Sequence, residues 1–157
     1  MTQEIERKFI LPEPPEAAAL GPGEPLRQGY LAEDESVEVR VRITTTGAML
    51  TVKAGSGLAR TEVEVVIAPE QAEALWPYTA PRRIEKTRHR IALDDAQRHV
   101  AEVDLYAGAL AGLCVVEVEF DSETDAAAFT PPSWFGREVT GERRWSNAAL
   151  ALHGRPQ

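Results

Sequence analysis

Charged and apolar residues alternate with a period of two along most of the chain. The runs Glu4-Ile5-Glu6-Arg7-Lys8-Phe9-Ile10 and Val37-Glu38-Val39-Arg40-Val41-Arg42-Ile43 show it most clearly. This is the pattern of β-strands with one apolar face. Similar runs at about 26–33, 48–54, 60–67, 83–94, 98–105 and 113–120 give roughly eight expected strands, enough to close into a barrel. Gly47, Gly55-Ser56-Gly57, Asp94-Asp95 and the stretch 108–112 supply short turns between neighbouring runs. The simplest wiring is an antiparallel meander in which sequential strands are neighbours.

Three segments break the alternation and read as short helices: Pro69 to Trp76, with a proline at its start, Ser122 to Phe129, and Ser146 to Leu152. The stretch 11–25, rich in Pro, Glu and Ala, reads as a loop with one helical turn at 16–20. Neither an internal repeat nor a shift in composition marks a second domain. Residues 1–157 are therefore expected to form one domain, mainly β (α+β): a closed eight-stranded antiparallel barrel with a few short helices outside.

Composition narrows the class. With 43% hydrophobic and 27% charged residues the chain is of ordinary globular type, and no apolar run is long enough to span a membrane. The start Met1-Thr2-Gln3-Glu4 lacks the basic and apolar regions of a signal peptide, so a cytoplasmic protein is expected. The single cysteine, Cys114, lies in an apolar run and reads as a buried, inert thiol. A formal net charge of −8 argues against a nucleic-acid partner. The basic residues are nonetheless concentrated, at Arg40-Val41-Arg42 and in Lys86-Thr87-Arg88-His89-Arg90.

Strand parity collects these charges on one face. It holds Glu4, Glu6 and Lys8; Glu38, Arg40 and Arg42; Lys53; Glu62 and Glu64; Lys86, Arg88 and Arg90; Glu102 and Asp104; Glu117 and Glu119. A solvated face laced by cross-strand ion pairs would look similar on any one strand. Here, however, Glu62/Glu64, Glu102/Asp104 and Glu117/Glu119 are purely acidic pairs, whereas Arg40/Arg42 and Lys86/Arg88 are purely basic. Like charges two residues apart repel unless a ligand neutralises them. A divalent cation would satisfy the carboxylates and a polyphosphate the cations, so a metal-bound polyphosphate would satisfy both. None of the three histidines lies beside the acidic set, which favours Mg²⁺ or Mn²⁺ over zinc; His89, His99 and His153 read as surface residues.

Glu4-Ile5-Glu6-Arg7-Lys8 matches the E-x-E-x-K signature of the CYTH domain, or triphosphate tunnel metalloenzyme superfamily. Gln28-Gly29-Tyr30-Leu31, Arg40-Val41-Arg42, Thr51-Val52-Lys53, Arg60 to Glu64, Glu85 to Arg88, Glu102-Val103-Asp104, Val116 to Phe120 and Glu138 to Gly141 resemble that family's strands in the same order. The resemblance spans the chain, with two departures: a shortened Pro/Ala loop after the first strand, and His89 where an aromatic residue is frequent.

The resemblance implies an eight-stranded tunnel, Mg²⁺ or Mn²⁺ as cofactor, and a small-molecule triphosphate substrate. It assigns Glu4, Glu6, Glu62, Glu64, Glu117 and Glu119 to the metal. Lys8, Arg40, Arg42, Lys53, Lys86 and Arg88 are assigned to the phosphates, with Lys8, Arg40, Arg42 and Tyr30 as catalytic candidates. Glu102 and Asp104 fit less closely. Compact bacterial members similar to this chain split inorganic tripolyphosphate into pyrophosphate and phosphate, which is the expected reaction. Class IV adenylyl cyclases and thiamine triphosphatases share the fold, and a non-catalytic polyphosphate-binding module is the alternative of another class. A homodimer formed through a helix-free part of the barrel exterior is a further expectation, with no nucleic-acid or membrane partner.

Overall fold

The computed structural model describes residues 2–96 and 98–157, apart from the Thr2 side chain. The eight strands are β1 (Thr2–Leu11), β2 (Gly23–Glu33), β3 (Val37–Ile43), β4 (Ala48–Ala54), β5 (Ala59–Ile67), β6 (Arg83–Ala92), β7 (Val100–Tyr106) and β8 (Cys114–Glu119). They close into an antiparallel barrel in the order β1-β5-β4-β3-β2-β6-β7-β8. Four short helices accompany them: α1 (Ala17–Leu20), α2 (Pro69–Leu75), α3 (Glu123–Ala128) and α4 (Asn147–His153). Among the described residues no helix is long and apolar enough to cross a membrane.

The sequential meander expected from the turns fails at two steps. β1 lies between β5 and β8 instead of beside β2, and β2 pairs with β6. The reason is connection length. Tight turns at Gly47 and Gly55 to Gly57 force the β3–β4 and β4–β5 hairpins, whereas the segments 12–22 and 68–82 are long enough to carry the chain across an end of the barrel.

Outward-facing residues meet the first three helices. Ile5, Phe9, Val103, Val116 and Val118 form one cluster with Leu20 of α1, Ala126 of α3 and Phe129. Val41, Leu50 and Ile67 pack against Ala72 and Leu75 of α2. Ser122 caps α3 by accepting the Asp125 amide at 3.1 Å. Beyond α2 the outer face of β3–β5 is bare, with Val37, Val63 and Val65 exposed. The expected pairing of two chains would have to form on this helix-free face.

The C-terminal segment takes a different course. β5 pairs only with residues 2–5 of β1, which leaves the rest of that edge open. The segment 137–139 fills it: Ile10 N donates to Arg137 O and Val139 N to Lys8 O, both at 2.8 Å. A side chain at Gly136 would lie 2.1 Å from the Ile10 carbonyl oxygen, so this close approach requires glycine. Arg7 clamps the junction. It makes a bidentate pair with Glu138 at 2.8 Å and donates to the carbonyls of Ala126 and Phe129 at 2.9 Å.

The chain then makes a 3-10 turn at Arg143–Trp145 and enters α4, capped by Ser146, whose hydroxyl accepts the Ala149 amide at 3.1 Å. Trp145 and Leu150 pack on Ile84, Tyr106 and Val115, which share strand faces with Lys86, Asp104 and Glu117. These are inward faces, so α4 plugs the interior while α1, α2 and α3 stay outside. The Tyr106 hydroxyl donates to Asn147 Oδ1 and ties the plug to β7. Leu150→Ala should cost about 2–5 kcal/mol of stability through the cavity it opens, measurable by urea unfolding.

Candidate active site

The inward faces of the strands enclose a cavity of about 710 Å³. Glu4, Glu6, Lys8, Tyr30, Arg40, Arg42, Lys53, Glu62, Glu64, Arg88, Glu117 and Glu119 all line it. Asp104, also singled out from sequence, is not on the cavity wall, and neither is Lys86. The Lys86 side chain is fully buried, with Nζ 2.7 Å from Asp104 Oδ2 and 5.5 Å from the Tyr106 ring centroid. The Asp104 contact is a close charge pair but lacks the direction of a hydrogen bond.

Register explains how the two charge sets separate. Lys8 stands opposite Glu117 and Glu6 opposite Glu119 across β1–β8. Glu4 stands opposite Arg60 across β1–β5, and Lys53 opposite both Glu38 and Glu62 within β3–β5. Carboxylates therefore gather where β1, β5 and β8 meet. On the other side, Tyr30 faces Arg40, Gln28 faces Arg42, and Arg88 faces Asp104.

Each set carries the mark of its own crowding. Burial, followed by the neighbouring Glu117 carboxylate, pushes Glu6 up to about 8. Burial would also raise Glu4, but Lys53 at 2.7 Å and Arg60 at 3.3 Å bring it below its ordinary value. Glu117 is brought well below, its burial outweighed by Lys8, Arg88, Lys86 and Lys53. Burial raises Glu62 and Glu119 as well. Among the cations, burial and then the repulsion of Arg40 and Arg88 lower Arg42 to about 10. Tyr30, fully buried, is pushed up to about 12, so its phenol keeps its proton at neutral pH; its oxygen accepts from Gln28 Nε2 at 3.0 Å.

Two buried donors on the basic side have no hydrogen-bond partner among the described residues: Arg40 Nε and Thr51 Oγ1. Of the two, Arg40 lines the cavity, and a free donor there fits an anionic ligand with several oxygens. The acidic side offers oxygen donors only, the chemistry of a hard divalent cation. No three acidic, histidine or cysteine side chains among the described residues converge into a ready cage, because Glu4 and its neighbours are turned toward Lys53 and Arg60.

Strand parity missed part of the wall. Arg60 shares a face with Glu62 and Glu64 and lies among Glu4, Glu6 and Glu38; its parity could have placed it there. Glu33 has the wrong parity for the inward face of β2. A bulge between Tyr30 and Ala32 turns it inward opposite Glu38, and no local signal announces that bulge. Arg143, Arg144, Asn147 and His153 reach the cavity from the C-terminal segment. Of the three expected surface histidines, His153 is exposed, whereas His89 and His99 are half-buried. His153 stands at the cavity, and His99 packs edge-on to Phe120 and Phe129 and pairs with Asp95 at 2.7 Å. His89 has its Nδ1 3.1 Å from Gly21 O.

No family model matches the chain. Two curated relatives do. It is 48% identical over 154 residues to an inorganic triphosphatase of Nitrosomonas europaea, covering 95% of this chain and 97% of that one. It is 37% identical over 152 residues to an inorganic triphosphatase of Acetivibrio thermocellus, covering 96% and 94%. The chain belongs to the CYTH, or triphosphate tunnel, family. A crystal structure of the inorganic triphosphatase NE1496 superposes with a TM-score of 0.69 at 43% identity, covering 99% of both chains. The Hippeastrum protein HpAC1 shares the fold at 14% identity, with a TM-score of 0.59 over 80% of this chain and 83% of that one.

In this family barrel the burial of Lys86 has its own consequence. Burial lowers the ammonium to about 7 in spite of Asp104, against an ordinary 10.5. Between those values the unfolded chain holds more protons at this site than the folded one. The penalty is therefore full below about pH 7 and fades as pH rises toward 10.5. The stability difference between wild type and Lys86→Met should shift in the wild type's favour between about pH 6.5 and pH 10, measured by urea unfolding. A constant difference would show an ammonium charged throughout.

Proposed function

We propose that this chain hydrolyses inorganic tripolyphosphate to pyrophosphate and phosphate, with Mg²⁺ or Mn²⁺ as cofactor. The carrying observation is the polarised cavity, in which Glu6 is pushed up to about 8 on one side and Arg42 down to about 10 on the other. Each side lacks the counter-charge that a metal-bound polyphosphate would supply. The two relatives named inorganic triphosphatases support the same substrate. Among the described residues the Tyr and Trp side chains on the wall are Tyr30 and Trp145, both buried, so neither offers an open face for stacking a nucleobase or thiazole ring.

The residues divide the work. Arg40, Arg42 and Arg88, with Lys8 and Lys53, bind non-bridging oxygens and stabilise the charge that spreads over the transferred phosphoryl group in a loose transition state. Gln28 holds Arg42, its Oε1 accepting from Nη2 at 3.1 Å, and Asp104 holds Arg88 bidentately at 2.7 and 2.8 Å, so neither guanidinium must be ordered during the reaction. Glu4 and Glu6, with Glu62, Glu64, Glu117 and Glu119, would hold the metal. When bound, that metal supplies charge neutralisation of phosphate oxygens and a more acidic water. Thr51 Oγ1 adds a neutral donor beside Arg40, its strand neighbour.

A panel of tripolyphosphate, pyrophosphate, ATP and thiamine triphosphate tests the assignment, assayed for phosphate and cyclic AMP with Mg²⁺, Mn²⁺ or EDTA. Tripolyphosphate should be the best substrate, and EDTA should abolish turnover until metal is restored. Cyclic AMP as the main product, or full activity without metal, would defeat the assignment. Arg40→Ala should lower kcat/KM by an amount equivalent to about 2–4 kcal/mol, the range for removing a charge-stabilising donor from a water-excluded site.

A further inference from the structure

Arg60 is held differently from Arg88 and Arg7. Arg88 grips Asp104 with two short bonds, and Arg7 grips Glu138 in the same manner. Arg60 instead straddles three carboxylates, with one long hydrogen bond to Glu4 and no bidentate pair. Its Nη2 lies 3.3 Å from Glu4 Oε2 and 3.8 Å from Glu6 Oε1, and its Nη1 lies 3.6 Å from Glu38 Oε1. Bidentate arginine pairs are short and directional, and loose ones yield more readily. The side chain is also 19% exposed, which leaves it room to shift, whereas Lys53, at 8%, is packed in place against Glu4 and Glu62.

We infer that Arg60 is a displaceable counter-cation: it holds the Glu4/Glu6 carboxylates together in the metal-free protein and yields them to an entering divalent cation by swinging toward Glu38. This rests on the metal-dependent reading of the site. It explains why carboxylates of suitable chemistry form no ready cage among the described residues, since the oxygens that a cation would take are facing Arg60 and Lys53. A cation bound there repels the guanidinium. Of its three carboxylate partners only Glu38, on β3, lies outside the E-x-E pair, so it alone can keep Arg60 once Glu4 and Glu6 are taken. Metal affinity is thus set partly by the competing internal charge, and by linkage the metal must weaken the Arg60 contacts as much as Arg60 weakens the metal.

The test is a Mn²⁺ titration without substrate, following the electron paramagnetic resonance signal of free Mn²⁺, together with thermal melting in EDTA and in saturating Mn²⁺. Arg60→Gln removes the charge and should bind Mn²⁺ about fivefold tighter or more, melting lower than wild type in EDTA and recovering with Mn²⁺. Glu38→Gln removes the retreat position and should bind Mn²⁺ more weakly. Arg60→Lys keeps the charge and should stay near wild type in affinity. Equal or weaker Mn²⁺ binding by Arg60→Gln, or a melting deficit that Mn²⁺ does not repair, would overturn the counter-cation role. So would unchanged binding by Glu38→Gln, a variant that tests the idea even where Arg60→Gln fails to fold. A wild type that binds no Mn²⁺ would instead defeat the metal-dependent reading itself, while Mn²⁺ binding that is indifferent to Arg60 defeats only this inference.

Discussion

Ionised side chains inside a closed barrel each lose water contacts, a cost of several kcal/mol that only well-placed partners offset. This chain puts more than a dozen of them there. The interior meets the cost by pairing across strands: Lys53 with Glu4, Lys8 with Glu117, Arg88 with Asp104. Where pairing is loose, at Glu6 and around Arg42, the penalty remains and shows as shifted ionisation. That residual imbalance is what a ligand can relieve, so the least comfortable groups in the fold are also those best placed for chemistry.

The outer shell must supply the stability that the interior does not. The apolar outer faces of β1, β7 and β8 are covered by α1, α3 and the aromatic group Phe120, Phe129 and Phe135. β3 and β4 are covered by α2. In an ordinary small barrel the inside is the core; here the core has moved outward, apart from the plug of Trp145 and Leu150 against Ile84, Tyr106 and Val115. The plug rests on the split between β1 and β5, because that opening lets segment 137–139 join the wall. Arg7, with the same parity as the outer-face residues, anchors the join at Glu138. Architecture and site are therefore coupled: the offset of β1 that sets Glu4 opposite Arg60 also creates the gap that the C-terminal segment fills.

Within the cavity, rigidity differs from place to place. Arg88 and Arg42 are fixed by Asp104 and Gln28, so the basic side is ordered in advance, the condition for electrostatic stabilisation without reorganisation. The carboxylate side is held by Lys53 and Arg60, charges of the same sign as the expected cofactor.

Strand number, helix positions and the inward charged face were legible from period-two alternation, because side-chain direction in a strand depends only on parity. The paired glutamates and paired arginines were legible for the same reason, and the E-x-E-x-K run with its ordered companions pointed to the family. Tertiary structure decided what parity does not encode. It set the strand order, since connections 12–22 and 68–82 can cross an end of the barrel in more than one way. It turned Glu33 inward through a bulge that depends on pairing with β3, and it carried Arg143, Asn147 and His153 to a cavity formed by strands far from them in sequence. It also separated Lys86 from Arg88, two residues of identical parity, because distance along the barrel axis, and not the face, decides whether a side chain meets the cavity or the plug beneath Tyr106.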